Sequence, residues 1–256
     1  MKTFEQEVAA RVEANGDNAE LRGNAMAFMQ ASLGAQYSYN FSWLGRPVIQ
    51  YPQDLVAMQE LIWTVRPDLI IETGIAHGGS LIFSASMLAQ LDLCDAIETG
   101  ETLDPRVSRR KVLGLDIDIR AHNLQAIEAH PMASRIQMIQ GSSIDPEIVA
   151  QVADIASSYQ CVLVCLDSNH THEHVLAELQ AYAPLTSEGS YCVVFDTIVE
   201  DLPAATLTGR PWGRGDNPKT AVWEYLKTHP EFEIDHAIEN KILVTVAPDG
   251  FLKRIA

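Results

Sequence analysis

From residue 67 onward, short apolar runs alternate with stretches in which hydrophobic residues recur every three to four positions. Runs of the first kind predict buried β-strands, and the second spacing predicts helices with one apolar face. The predicted strands are Leu69–Glu72, Lys111–Asp116, Ile136–Gln140, Cys161–Asp167, Tyr191–Asp196, Phe232–Ile234 and Ile242–Val246. The predicted helices around them cover residues 80–91, 119–129, 145–157, 171–182 and 218–227. This alternation predicts an α/β fold with a doubly wound, mostly parallel, seven-stranded sheet.

The N-terminal part of the chain has a different pattern. Residues 4–34 have the spacing of helices, and residues 37–51 are rich in aromatic side chains. A third helical pattern, over residues 53–65, precedes the first predicted strand. We therefore predict a helical and aromatic extension over residues 1–52 that packs on a core domain over residues 53–256.

Composition and charge exclude several classes of protein. The chain has 256 residues, of which 47% are hydrophobic and 20% charged, enough for a sizeable core. Its formal net charge of −16, from 18 basic and 34 acidic residues, would repel a nucleic-acid backbone. We see no signal-peptide core, no apolar run that approaches the roughly 20 residues of a membrane span, and no C-x-x-C pair. These features predict a cytoplasmic protein that binds neither nucleic acid nor membrane.

The first strand runs into a glycine-rich turn, ETGIAHGGS, at the edge of the sheet where parallel α/β folds bind ligands. Gly74, Gly78 and Gly79 would let a ligand approach the backbone closely. Their spacing is neither that of a dinucleotide-binding turn nor that of a P-loop. A glycine-rich connection that binds nothing is the alternative for this segment alone.

The next two strands end in residues that indicate a nucleoside. Asp116 ends the second strand, where its carboxylate can accept hydrogen bonds from both ribose hydroxyls, with Asp118 as the alternative. Ser142 and Ser143 follow the third strand and can edge an adenine ring. A glycine-rich turn, followed by an acid that can bind the ribose and then by serines that can border the adenine ring, predicts S-adenosylmethionine rather than NAD.

Carboxylates at the ends of the fourth and fifth strands predict a metal site. Asp167 and Asp196 would converge where a cofactor's reactive group lies, and oxygen ligands with retained waters suit Mg²⁺. Capping of the strand ends is the alternative. His170 is predicted to be a general base beside the metal, with His172 and His174 as exposed helix residues. Zinc bound by His170 and His174 is a second interpretation of the same segment.

A glycine-hinged loop, PWGRGDNP at residues 211–218, precedes the last predicted helix. It carries Trp212, Arg214 and Asn217, and we predict that it is a lid or an acceptor-binding loop. An ordinary surface connection is the alternative. Aromatic residues of the N-terminal segment either line the same pocket or pack in the core or between subunits: Tyr37, Tyr39 and Trp43.

The longer motifs resemble a known family. LGRPVIQYPQDLVAMQELIW, RPDLIIETGIAHGGSL, VLGLDIDIR and WGRGDNPKTAVWEYL are similar to the cephalosporin hydroxylase/rhamnosyl O-methyltransferase family. The resemblance extends from about Ser42 to the C-terminal LVTVAPDGFLKRI. It implies a Rossmann-like class I methyltransferase that uses S-adenosylmethionine, in several members with Mg²⁺. It also implies assembly into a homo-oligomer and a methyl acceptor that is a sugar hydroxyl or a small hydroxylated natural product.

The resemblance implies a role for individual residues in the cofactor motif, in binding the ribose, in bordering the adenine ring and in binding the metal. In that order, the matching residues are Glu72, Gly74, Ala76 and Ser80; Asp116; Ser142 and Ser143; and Asp167 and Asp196. Related metal-dependent enzymes often have two adjacent acids on the fifth strand, whereas this chain has Phe195 before its aspartate. The third protein ligand is therefore open between Glu200, Asp201 and water.

The sequence thus predicts a Mg²⁺-dependent O-methyltransferase with His170 and Asp167 as catalytic residues. Because of Phe195, a catalytically silent module that binds S-adenosylmethionine or a nucleotide is the alternative. A hydroxylase is not predicted, since the sequence has no convincing 2-His-1-carboxylate iron site.

Overall fold

Helices and strands alternate along most of the chain in the computed structural model, which describes residues 2–256. The helices are α1 (Phe4–Asp17), α2 (Ala19–Gly34), α3 (Pro52–Val65), α4 (Gly79–Thr99), α5 (Ala121–Glu128), α6 (Pro146–Ala156), α7 (His172–Tyr182), α8 (Pro218–Tyr225) and α9 (His236–Ile242). The strands are β1 (Phe41–Trp43), β2 (Arg46–Val48), β3 (Leu69–Thr73), β4 (Lys111–Asp116), β5 (Ile136–Gln140), β6 (Val162–Leu166), β7 (Tyr191–Val194), β8 (Phe232–Ile234) and β9 (Phe251–Arg254).

Seven of the strands form one sheet in the order β5-β4-β3-β6-β7-β9-β8. Strands β3 to β7 are parallel to one another, and β9 is antiparallel to both of its neighbours. The order reverses between β3 and β6, which makes the carboxyl ends of these two strands the topological switch point. The predicted doubly wound, mostly parallel sheet of seven strands is confirmed.

Both faces of the sheet are covered, which is why the central strands are apolar at successive positions. On one face, Ile70 belongs to a core that includes residues of α3 and α4. On the other face, the next residue, Ile71, belongs to a core that includes residues of α6, α7 and α8. Because successive side chains of a strand point to opposite faces, a strand buried on both sides needs an unbroken apolar run.

The N-terminal segment is more regular than its sequence pattern predicts. The side chain of Asn18 accepts a hydrogen bond from the amide of Leu21 and begins α2, which separates it from α1. Strands β1 and β2 form a hairpin within the aromatic-rich segment over residues 37–51, for which no strand is predicted. The division of the chain into an extension and a core domain at residue 52 remains a prediction.

The β1–β2 hairpin packs on the start of α4. The indole of Trp43 donates a hydrogen bond to the hydroxyl of Ser86 at 2.9 Å, and its ring meets Phe83 edge to face. A Cβ atom on Gly79 would lie 2.1 Å from the carbonyl oxygen of Pro47, so glycine is needed at this position. The N-terminal segment is thereby fixed beside the carboxyl end of β3.

One predicted strand, over residues 242–246, is wrong. Helix α9 extends to Ile242, and the chain then crosses to α3. There the buried carboxylate of Asp54 accepts hydrogen bonds from the hydroxyl of Thr245 and the amide of Val246. The seventh strand is β9 instead, because an apolar run by itself does not distinguish a strand from a buried irregular segment.

Helix α4 is longer than the predicted helix over residues 80–91. It has 21 residues and a window of mean hydropathy 1.3, so by length and composition it could cross a membrane, contrary to the expectation from the sequence. Half of that window is buried, and Leu81 and Leu88 belong to the core on the α3 side of the sheet. Further along, Asp92 pairs with Arg110. This is the packing of a core helix in a layered α/β fold.

We expect Gly79→Ala to lower the free energy of unfolding by about 1–3 kcal/mol, because the added methyl group would force the hairpin away from α4. Gly23→Ala is the control, since a Cβ atom at this position of α2 meets nothing within 4 Å. It should leave the free energy unchanged or raise it by up to about 1 kcal/mol. Urea denaturation of both variants measures the difference, and equal effects would contradict the close packing at Gly79.

Candidate active site

A cleft of ≈ 470 Å³ opens at the carboxyl ends of the central strands, a size typical of small-molecule sites. One side is the turn between β3 and α4, with the end of β4. The floor comes from the segments that follow β6 and β7. The far wall is formed by the N-terminal segment and by the loop between β7 and α8. Residues representative of these three regions are Gly74, Ala76, Ser80 and Asp116; Asp167, His170 and Asp196; and Tyr39, Gln50, Arg210 and Trp212.

The turn after β3 lies against the chain that leaves β6. A Cβ atom on Gly74 would be 2.2 Å from the carbonyl oxygen of Asp167, and the φ angle of Gly74 is 89°. Ala76 also has a left-handed backbone, with φ of 46°, a conformation that alanine rarely adopts. The backbone of the turn is therefore exposed to the cleft with little side chain in front of it.

The carboxylate of Asp116 stabilises the backbone of this turn. Its Oδ2 atom accepts hydrogen bonds from the amides of Ile75 at 2.8 Å and Ala76 at 3.3 Å, and its Oδ1 atom accepts one from Asp118 at 3.0 Å. A carboxylate has about four acceptor positions, so it retains capacity for a ribose hydroxyl. Asp116 lines the cleft and Asp118 does not, which favours the first of the two predicted ribose acids.

Glu72 lies beneath the turn, not in the cleft. The hydroxyl of Ser80, which does line the cleft, donates a hydrogen bond to Oε1 of Glu72. Burial raises the pKa of Glu72 to about 7. Together with Asp54 and Asp167, it borders a small cavity of ≈ 30 Å³, large enough for a water molecule.

Asp167, His170 and Asp196 meet at the floor of the cleft. Each offers a ligand atom, and these atoms lie within 4.8 Å of one another. Nε2 of His170 is 3.1 Å from Oδ2 of Asp196, and the amide of Gln50 donates to Oδ2 of Asp167 at 3.3 Å. Removal from water and the neighbouring charge of Asp196 raise the pKa of Asp167 well above its ordinary value. Asp196 has a left-handed backbone with φ of 56°, a strained conformation of the kind found at functional sites.

Trp212 connects this floor to the loop between β7 and α8. Its ring meets that of His170 edge to face, with centroids 4.7 Å apart. The guanidinium carbon of Arg210 lies 5.4 Å from the centroid of the Trp212 ring. The predicted role of Trp212 at the cleft is consistent with this position.

The residues present fit both predicted ligands. Two adjacent carboxylates with an imidazole form a donor set for a divalent cation, whose charge would offset the repulsion between Asp167 and Asp196. Gln50 Oε1 and His170 Nδ1 are buried and have no hydrogen-bond partner among residues 2–256, which leaves polar atoms to interact with a ligand. The glycine turn and Asp116 offer exposed backbone and a carboxylate to a nucleoside with an amino-acid tail.

Comparison with known proteins identifies the family. The model of the family described as Rhamnosyl O-methyltransferase/CmcI matches residues 35–255. The chain belongs to the rhamnosyl O-methyltransferase/CmcI family. The resemblance and the enzyme class predicted from the sequence, an O-methyltransferase, are confirmed.

Curated relatives are similar over most of the chain. A rhamnosyl O-methyltransferase of Mycobacterium bovis (strain BCG / Pasteur 1173P2) is 29% identical over 207 residues, which are 78% of this chain and 73% of the relative. One of Mycobacterium leprae (strain TN) is 29% identical over 217 residues, 83% and 82% of the two chains. A solved structure described as CmcI-N160 apo-structure has a TM-score of 0.52 at 20% identity and covers 85% of this chain and 77% of its own. It shows the same fold.

At the position where related enzymes often have a second acid, Phe195 is buried and borders the small cavity beneath the floor. Neither Glu200 nor Asp201, the two predicted alternatives, replaces that acid as a metal ligand. Glu200 accepts hydrogen bonds from the amide of Gly215 and the side chain of Asn217, while Asp201 pairs with a lysine of α8. The structure instead places His170 beside the two aspartates, where it could act as a ligand or as a base.

The prediction that His172 and His174 are exposed is wrong. Nδ1 of His172 is 2.9 Å from the hydroxyl of Thr220 on α8, and Nε2 of His174 is 3.1 Å from the hydroxyl of Ser143. Helix α8 packs along α7 and covers this end of it. His170 precedes α7, so it does not share a helical face with His174, and no cluster among residues 2–256 joins the two. The zinc interpretation is therefore not supported.

Two other groups of predicted site residues lie outside the cleft lining. Ser143 is buried with its hydroxyl directed to His174, and neither it nor Ser142 lines the cleft, so their contact with adenine remains a prediction. Asn217 is fully buried and caps α8, and Arg214 is exposed, 4.0 Å from a carboxylate of Glu200. These two substrate-loop residues stabilise the loop and do not face the cleft.

Gln50 and Arg210 are site residues that sequence reasoning missed. Gln50 stands in VIQYP, within the motif that carries the family resemblance, and Arg210 precedes Trp212 by two positions. Proximity to a motif residue was the available signal for both. Neither follows a strand of the central sheet, so the strand-end rule did not find them.

Glu72→Gln should change how stability depends on pH. Because the folded-state pKa of Glu72, about 7, is above its ordinary value of 4.5, the native state binds more protons than the unfolded state between these values. Stability therefore falls as pH rises through this window, and the neutral glutamine removes that contribution. The variant should gain stability relative to the wild type by about 1–3 kcal/mol from pH 4.5 to 7.

Urea denaturation at a series of pH values measures this difference. Glu188→Gln is the matched control, because Glu188 is exposed. Parallel stability curves for Glu72→Gln and the wild type would contradict the raised pKa of Glu72.

Proposed function

We propose that this methyltransferase uses S-adenosylmethionine and Mg²⁺ to methylate a hydroxyl of a sugar or of a small hydroxylated natural product. The proposal rests on the cluster of Asp167, His170 and Asp196, because it places a cation site and a base at the floor of a cleft with a nucleoside-compatible turn. The relatives named rhamnosyl O-methyltransferase support a sugar acceptor. A related structure described as cmcI-D160 Mg-SAM, 20% identical with a TM-score of 0.52, supports both cofactors.

In this proposal, the turn after β3 positions the methyl donor. The backbone at Gly74 and Ala76 and the hydroxyl of Ser80 bind its methionine end, and Asp116 binds the ribose. Methyl transfer breaks the bond from the sulfonium sulfur to the methyl carbon and forms a bond to the acceptor oxygen. Since the donor is already activated, the enzyme's main task is to align the two reactants, which can supply a large part of the rate gain.

Asp167 and Asp196 would hold the Mg²⁺, with waters in the remaining positions. Bound there, Mg²⁺ would supply Lewis-acid stabilisation of the negative charge that develops on the acceptor oxygen. Gln50 keeps the side chain of Asp167 in place through its hydrogen bond at 3.3 Å.

His170 takes the proton of the acceptor hydroxyl. Its Nε2 atom lies 3.1 Å from Oδ2 of Asp196 at the floor of the cleft and would take the proton there. Nδ1 is buried and has no hydrogen-bond partner among residues 2–256. The negative charge of Asp196 would stabilise the imidazolium that forms.

Asp167→Asn tests the metal site. It should weaken the binding of Mn²⁺, used as a spectroscopic substitute for Mg²⁺, and lower Mg²⁺-dependent turnover about a hundredfold or more, because one of two anionic ligands becomes neutral. The affinity for S-adenosylmethionine should change little. Titration calorimetry measures cofactor binding, and electron paramagnetic resonance measures bound Mn²⁺.

Asp154→Asn, an exposed substitution of the same type on α6, serves as the control for Asp167→Asn. If Asp167→Asn turns over at full speed, the metal mechanism is excluded. If the wild type does not bind S-adenosylmethionine, the whole proposal fails. Binding without turnover of any acceptor would instead favour a catalytically silent module.

His170→Ala tests the general base. It should lower kcat by about 10²–10⁴-fold, because proton transfer from the hydroxyl then lacks a positioned acceptor. Affinity for S-adenosylmethionine should be retained. Transfer of a labelled methyl group to the best acceptor in a panel of sugars gives kcat. His172→Ala, two residues away and outside the cleft, should stay within a few-fold of the wild type; equal losses in both variants would argue against the assigned role.

A further inference from the structure

Arg210 is the one arginine or lysine among the described residues that line the cleft. The acids of the cleft lie at the turn and the floor: Asp116, Asp167 and Asp196. Arg210 lies in the loop of the far wall, and its guanidinium forms no hydrogen bond or ion pair with residues 2–256. Its contact is with the face of Trp212, at 5.4 Å from the ring centroid. The cation is therefore uncompensated within the protein.

Acidic residues outnumber basic ones in the chain, 34 to 18, yet none pairs with the exposed side chain of Arg210 among residues 2–256. The next two cations after Arg210 in the chain do contact acids. Arg214 lies 4.0 Å from Glu200, and Lys219 pairs with Asp201 at 2.7 Å. An arginine that faces a ligand cleft without an acid beside it is available to an anion from solution.

The position of Trp212 relates this cation to the proposed chemistry. The Trp212 ring contacts both His170 and Arg210, so one indole adjoins the proposed base and the guanidinium. An acceptor ring that lies along Trp212, with its reacting hydroxyl at His170, would therefore bring a further substituent to Arg210. Tyr39, half exposed in the N-terminal part of the same wall, offers a second aromatic surface.

We propose that the acceptor carries an anionic group, a carboxylate or a phosphate, and that Arg210 binds it while stacked on Trp212. This inference rests on the proposed function and adds the charge class of the acceptor. A planar guanidinium binds either anion through two parallel hydrogen bonds, and stacking on an aromatic ring orients it for that contact. A neutral sugar would leave the guanidinium without a partner of opposite charge.

Titration calorimetry on the full chain with three related probes tests the proposal: D-glucuronate, glucose 6-phosphate and glucose. We expect the wild type to bind one acidic probe about tenfold to a hundredfold more tightly than glucose, with the preference reduced by salt. Preference for glucuronate would identify a carboxylate, and preference for glucose 6-phosphate a phosphate. Each titration is made with and without S-adenosylhomocysteine and Mg²⁺, so that the answer does not depend on cofactor binding.

Three variants isolate Arg210. Arg210→Gln should lose the preference for the acidic probe, and Arg210→Lys should keep part of it, because charge remains but the planar fork is lost. Arg109→Gln, an exposed substitution with the same change in net charge, should behave as the wild type. Thermal unfolding checks that all three variants fold.

The inference is overturned if the wild type binds no probe, or if it binds neither acidic probe more tightly than glucose. It is also overturned if Arg210→Gln keeps the preference for an acidic probe. A large loss of S-adenosylhomocysteine affinity in Arg210→Gln would overturn it too, since Arg210 would then bind the cofactor's own carboxylate. Failure of the proposed function looks different. In that case the wild type binds no S-adenosylmethionine or methylates no acceptor, whatever its preference among the probes.

Discussion

The close approach of two backbones, at Gly74 and at Asp167, is the constraint on which the rest of the site depends. A single methyl group at Gly74 would come within 2.2 Å of the Asp167 carbonyl oxygen. The amide of Asp167 in turn donates a hydrogen bond to the carbonyl of Thr73, the last residue of β3. The turn after β3 and Asp167, the proposed metal ligand, therefore form one rigid unit. A shift of either backbone would therefore displace the other. Because the alignment of donor and acceptor governs methyl transfer, such a shift would slow the reaction.

Several carboxylates lie around this unit, largely removed from solvent. Asp54 and Glu72 are buried, and burial raises the pKa of each to about 7. Asp167 adds a third acid, beside Asp196. Among the described residues, no lysine or arginine borders the small cavity that Asp54, Glu72 and Asp167 share. Such an arrangement destabilises the folded protein, since each acid must either lose its charge or remain poorly solvated. The apolar cores on both faces of the sheet offset that cost, and a bound cation would reduce it locally.

The strands and the acids at their ends could be predicted from the sequence. Apolar runs located β3, β4, β5, β6 and β7, and the residues that follow them, above all Asp116, Asp167 and Asp196, meet at one edge because parallel strands end together. The strand over residues 242–246 could not be predicted correctly, since its apolar side chains are buried in an irregular segment. Nor could the partial burial of His172, which contacts a helix distant in sequence. Tertiary contacts of this kind leave no local pattern.

The two halves of the cleft differ in how they are built. The cofactor side comes from β3, β4 and β6, whose residues are fixed by packing on both faces. The far wall comes from the N-terminal segment and the loop before α8, including Gln50, Arg210 and Trp212. Arg210 and Trp212 belong to neither core of the sheet, so this part of the acceptor side can change while the donor side stays the same. Arg210 lies in the part of the structure that is free to specify an acceptor, and its uncompensated charge is therefore better explained by substrate binding than by the stability of the fold.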